Sequence, residues 1–184
     1  MKIGAYGSAA GSIGDDVKQK ARAIGREVAS RGHTLVTGAC HGLPQDAVIG
    51  AGEIGGKVIG YSPGIDMKDH VERFKFPIEG FTELVYIPAD WMHVDDPRAC
   101  KKYRNVSSVA AVDAGIIMGG RIGTMNEFTL LYDMERDIGV LEGSGGITEE
   151  AIDVLLKAAN KESKSRIVRD ADPTALVLKL TGLD

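Results

Sequence analysis

The chain has 184 residues, 43% of them hydrophobic and 26% charged, with a formal net charge of −4. That length suffices for one domain with a well-buried core and is short for two, so a single domain over 1–184 is expected. The acidic balance argues against general nucleic-acid binding, which needs a basic face, although it leaves room for a local basic pocket.

Apolar strand-like runs alternate with helical patterns almost to the end of the chain. "KIGAY" (2–6) reads as a first strand, and residues 15–31 place Val17, Ala21, Ile24 and Val28 at helical spacing. "HTLVTG" (33–38) is the second strand, and Pro44 suits the first turn of the helix that follows it. "KVIGYSP" (57–63) is a third strand that stops at Ser-Pro-Gly. Residues 64–83 are polar and irregular and receive no element. "ELVYIP" (83–88) is a fourth strand, 97–112 a helix, and "AGIIMG" (114–119) a fully buried strand. A helix over 124–135 leads to the strand "IGVLEG" (138–143). The helix over 148–161 is expected to start with Thr148 at its N-cap and acids in its first turn. A short strand near 165–169 and a final helix, "DPTALVLKLTG", close the chain.

This alternation implies a three-layer α/β/α sandwich, Rossmann-like, with a largely parallel sheet. In such sheets ligands bind beyond the carboxyl ends of strands, where successive connections diverge. Three glycine-rich loops follow strands. The first, "YGSAAGSIG", has glycines at 7, 11 and 14 and does not match the dinucleotide fingerprint. The second, "TGACHGLPQD", has Thr37 where a dinucleotide site wants an acid, so NAD is disfavoured. The third, "GGRIGT", combines close backbone approach, the amides of a helix start, the donors of Arg121 and the hydroxyl of Thr124. Together they predict a pocket for a nucleotide or sugar phosphate, with Gly7, Ser8, Gly38, Gly120, Arg121, Gly123 and Thr124 as binding residues.

Other residues admit two readings each. Glu127 stands three residues after Thr124, which matches a capping box; it is equally suited to chemistry beside a bound nucleotide. Arg104 is either a ligand contact or part of a solvated basic face with Lys101 and Lys102. Asp113 is read as helping to end a helix and turn the chain, and His41 as a polar loop residue. "MHVDD" (92–96) fits no metal signature, so no metal site is expected. Cys40 and Cys100 form no ligand pair or disulfide framework and read as free thiols, Cys40 as a small buried residue. The start holds no apolar targeting segment, and no run nears the roughly 18 apolar residues of a membrane span. A cytoplasmic location and no membrane partner are the expectations.

The ordered set "YGSAAG", "VTGACHGLPQDAV", "GGKVIGYSPG", "RNVSSVAAVDAGIIMGGRIGTMNEF" and "IGVLEG" resembles the Lonely Guy superfamily over about residues 1–160. That group includes cytokinin-activating phosphoribohydrolases, proteins once labelled "possible lysine decarboxylase" and molybdenum-cofactor carrier proteins, and this chain looks closer to a poorly characterised branch near the carrier proteins. In the enzymes an arginine precedes the buried strand and a P-G-G-x-G-T-x-x-E loop follows it. The resemblance puts Arg104 and Glu127 at those catalytic positions. It implies hydrolysis of the N-glycosidic bond of a nucleoside 5′-monophosphate to free base and ribose 5-phosphate; a non-catalytic nucleotide or molybdopterin-type carrier is the alternative. Gly119, Arg121 and Asn105 stand where the enzymes have proline, glycine and lysine. Nothing in the motifs calls for a cofactor, and no lysine sits in a pyridoxal-phosphate context. A homodimer or larger homo-oligomer is also implied.

Overall fold

Short apolar runs that cannot face water on either side have to lie between two helical layers. The computed structural model describes residues 1–182 and arranges them in that way; the last two residues of the expected domain lie outside the described residues. In chain order the elements are β1 (Lys2–Gly7), α1 (Asp15–Ser30), β2 (Thr34–Thr37), α2 (Leu43–Gly52), β3 (Val58–Tyr61), α3 (Met67–Glu72) and β4 (Glu83–Val85). Then follow α4 (Pro97–Ala110), β5 (Ala114–Met118), α5 (Ile122–Asp133), β6 (Asp137–Leu141), a 3-10 turn at Gly146–Thr148, α6 (Ala151–Ala159), β7 (Ile167–Asp170) and α7 (Pro173–Thr181). The strands form one sheet in the order β4-β3-β2-β1-β5-β6-β7, with every pairing parallel. The expected fold class is the one observed.

Each face of the sheet carries its own core. On one face Ala21, Ile24 and Val28 of α1, Ala47 and Ala51 of α2, and Leu176 and Leu180 of α7 pack on Ile3, Leu35, Val58 and Ile116. On the other, Val109 of α4, Phe128 and Leu131 of α5, and Ile152 of α6 pack on Tyr6, Val36, Ile117 and Val140. The first face is unusually close at the α1–α2 contact. A side chain at Gly25 would run into the Ala47 carbonyl, and one at Gly50 into the Arg22 carbonyl. Glycine inside a helix costs roughly 1 kcal/mol relative to alanine; here it lets two backbones touch. Above that contact, Arg22 reaches Asp46 (4.0 Å) and Glu53 (3.7 Å), and Arg26 reaches Glu53 (2.5 Å).

Two expectations change. The segment 64–83 contains a helix, α3, whose six residues are too few to show an apolar period. Asp66 caps it, accepting the Asp69 amide at 2.7 Å. Buried His70 fixes it to the body through the Ser62 hydroxyl (2.8 Å) and the Pro77 carbonyl (3.0 Å). Thr148 does not cap α6. Gly145 and Gly146, both at positive φ, carry the chain into the 3-10 turn, where the Thr148 hydroxyl donates to the Gly145 carbonyl at 2.8 Å.

β1 lies between β2 and β5; α1 leaves β1 toward one face while α5 leaves β5 toward the other. The gap above the ends of β1 and β5 is therefore the place where an open parallel sheet binds its ligand.

Candidate functional site

β5 is buried along its whole length and is followed by two glycines. Gly119 (φ +57°) and Gly120 (φ +97°) turn the chain back over the sheet. Their amides are already engaged: Gly119 donates to the Ser144 hydroxyl and Gly120 to the Ser8 hydroxyl, each at 2.8 Å. The turn is thus tied to the segments following β6 and β1. α5 then starts at Ile122, with Arg121 in the capping position and no side-chain cap. The first-turn amides of Ile122, Gly123 and Thr124 have no partner in the helix and carry its positive end, which suits an anion.

This start overturns the capping-box reading. Thr124 is the third residue of α5 rather than its cap, and Glu127 falls in the second turn. Freed of that role, the Glu127 side chain is only 8% exposed and lines a cavity of about 370 Å³. Burial pushes its carboxyl up to about 7 from an ordinary 4.5, opposed by the nearby charges of Arg104 and Lys102.

α4 forms another wall. Asp96 caps it, accepting the Arg98 amide at 2.8 Å, and Pro97 fills the first position. Arg98, Lys101, Lys102 and Asn105 recur at helical spacing and face the cavity together. Arg104 does not belong to a solvated face: it is 7% exposed. Its Nε donates to Asn105 Oδ1 at 2.9 Å and its Nη1 to the Gly38 carbonyl. Asn105 in turn donates to Asn126 Oδ1 at 3.0 Å. A side chain at Gly38 would occupy the space of the guanidinium, so glycine there is the condition for burying Arg104.

Of the predicted site residues, Gly7, Ser8, Arg104, Arg121, Gly123, Thr124 and Glu127 line the one cavity. Gly38 and Gly120 do not; they sit behind it, one holding Arg104 and the other shaping the turn. Cys40 also lines the cavity, and burial raises its thiol pKa, partly offset by Arg104, so it is no ready nucleophile. His41 faces away and hydrogen-bonds the Lys75 carbonyl (2.7 Å). Asp113 accepts the Lys2 amide at 2.7 Å, tying the end of α4 to β1.

Two features went unread in the sequence. Five cations, Arg98, Lys101, Lys102, Arg104 and Arg121, surround the cavity, and among the described residues none forms an ion pair with an acid. The helical spacing of the three on α4's outer face was a visible signal. The second feature is an adjoining chamber of about 180 Å³ walled by Tyr61, Tyr86 and Tyr103, with Arg104 lining both spaces. Nothing local announced it, since its tyrosines come from β3, α4 and the segment after β4.

No curated protein matches the sequence. Among solved structures, the structural-genomics target TM1055 superposes with a TM-score of 0.79 at 19% identity, over 100% of this chain and 99% of that one. The molybdenum cofactor binding protein of Rippkaea orientalis gives 0.75 at 18% identity, over 99% and 96%. DNA processing protein A of Helicobacter pylori, described with a single-stranded DNA binding mode, gives 0.68 at 18%, over 99% and 80%. At such identities the likeness is one of fold. The sequence also matches a family model along residues 1–177, and by that match the chain belongs to the SLOG cluster4 family.

Proposed function

We propose that this protein binds a phosphorylated small molecule of nucleotide or pterin type and serves as its carrier or sensor. One observation carries this reading: in a chain of net charge −4, five cations without acid partners and an uncapped helix start face the same cavity. Arg121 and the first-turn amides of α5 would hold the phosphate. The tyrosine chamber beside Arg104 offers apolar walls for a ring.

The turn at Gly119 favours carriage over the chemistry of the related enzymes. A proline, as those enzymes have, fixes φ near −65° and has no N–H. Gly119 adopts +57° and donates its N–H to Ser144, so this loop follows a path closed to the enzymes' proline. The whole-chain likeness in fold to a molybdenum cofactor binding protein points the same way.

Mass spectrometry of small molecules released from denatured, freshly purified protein tests this reading. A phosphorylated ligand that survives long incubation with the protein intact is the expected result. Release of an emptied protein that splits added nucleotides would overturn it.

A second reading, hydrolysis of a nucleoside 5′-monophosphate, is favoured by Glu127 alone. A buried carboxyl that titrates near neutrality beside Arg104, and caps nothing, suits a general base. It would stabilise oxocarbenium character on the ribose and take a proton from water, while Arg104 offsets charge on the departing base. Chromatography with mass detection on a monophosphate panel then yields free base and ribose 5-phosphate from the wild type. Glu127→Gln abolishes that yield but keeps nucleotide binding; near-normal turnover in the variant would remove Glu127 from the mechanism.

A further inference from the structure

We infer that the cavity contains a second anion subsite, on α4, and that its ligand is a nucleotide-type molecule bearing two phosphoryl groups. This rests on the phosphorylated-ligand reading above and goes beyond it.

The first subsite is the start of α5 with Arg121. The second is Arg98, Lys101 and Lys102, whose positions on α4 are against the helix's own interest. All three lie in its first two turns, where the macrodipole already places positive charge and favours acids. Arg98 and Lys102 are also four residues apart, a spacing at which like charges destabilise a helix by a few tenths of a kcal/mol, on the order of what an opposite pair contributes. Asp96 beside Arg98 and Glu127 near Lys102 offset part of this charge, but among the described residues none of the three forms an ion pair with an acid. Lys102 meets only the neutral Asn126 Oδ1 at 3.5 Å, and Lys101 only the Phe76 ring at 6.0 Å. The one acid in the cavity, Glu127, accepts no hydrogen bond from the described residues and is held partly protonated at neutral pH. It cannot neutralise five cations. A monophosphate seated at α5 leaves the α4 trio uncompensated, whereas a second phosphoryl group meets it. The cavity, at about 370 Å³, is of the size that takes ligands of this class.

The test is calorimetric titration of the purified chain with adenosine and guanosine 5′-monophosphates, their 5′-diphosphates and their 3′,5′-bisphosphates, at one fixed ionic strength. Wild type and the double variant Lys101→Ala, Lys102→Ala are compared, with thermal melting to show that both are folded. The wild type should bind a doubly phosphorylated probe at least about tenfold more tightly than the matching monophosphate, through added charge-assisted hydrogen bonds. The double variant should lose that preference while keeping monophosphate affinity within about twofold. Preference for the 5′-diphosphate identifies adjoining phosphates, and preference for the 3′,5′-bisphosphate identifies separate ones. Equal wild-type affinity for mono- and doubly phosphorylated probes overturns the second subsite and leaves the phosphorylated-ligand reading standing. So does an equal weakening of every probe in the double variant, which would mark a diffuse field. Failure of every probe to bind overturns the second subsite and, with it, the nucleotide form of the phosphorylated-ligand reading.

Discussion

The helix pair α1–α2 and the helix pair α4–α5 lie on opposite faces of one sheet and treat charge in opposite ways. In the first, backbones meet through Gly25 and Gly50, and Arg22 and Arg26 have acids within 4.0 Å. In the second, the helices stand around a cavity, and among the described residues Arg98, Lys101, Lys102, Arg104 and Arg121 have none. The same chain thus pairs Arg22 and Arg26 with acids where two helices touch and leaves five cations without an acid partner where two helices stand apart around a cavity. Charge left bare beside an enclosed space is a mark of function rather than of stability.

If that contrast is correct, the cavity face detracts from stability while the glycine face supplies it. The largest effect should come from Glu127. Unfolded, its carboxyl titrates near 4.5; folded, it keeps its proton up to about 7. Between those values the folded state binds more protons than the unfolded, so stability falls as pH rises through that window and stays lower above it. The loss is on the order of 3 kcal/mol, at roughly 1.4 kcal/mol per pH unit of displacement. Glu127→Gln should therefore melt higher than the wild type at pH 8 and level with it near pH 4. Parallel melting curves across that range would break the contrast. Gly25→Val should act in the other sense at every pH, destabilising by about 1–3 kcal/mol as α1 is forced off α2, read as a lower midpoint in denaturant. The smallest effects separate the two sets of cations. Arg22→Ala should lower stability by less than about 1 kcal/mol, whereas Lys101→Ala with Lys102→Ala should leave it unchanged or slightly raised in the absence of ligand.

Much of the fold is legible in the sequence because its signals are local. "AGIIM" contains no polar side chain, and all five residues are buried. The helical spacing of Ala21, Ile24 and Val28 marks the face of α1 that meets the sheet. The sequence leaves two readings open where a local signal competes with a tertiary one. Thr124 and Glu127 have capping-box spacing, yet the double-glycine turn delivers the chain to helical geometry at Ile122, two residues before Thr124. Arg104 sits in a basic stretch, but its burial depends on the Gly38 carbonyl 66 positions away, in the loop after β2. The tyrosine chamber is assembled from three distant segments. Its residues become a group only when β3 and β4 lie side by side against α4.

The hydroxyls of Ser8 and Ser144 have a further consequence. By accepting the Gly120 and Gly119 amides, they fasten the turn between β5 and α5 to two other loops without any help from a ligand. On the proposed reading the binding surface is shaped by the fold itself, so an incoming ligand would forfeit little conformational entropy in ordering it. Affinity then reflects the contacts made rather than a loop-closing step, and the lifetime of the complex is set by how quickly those contacts break.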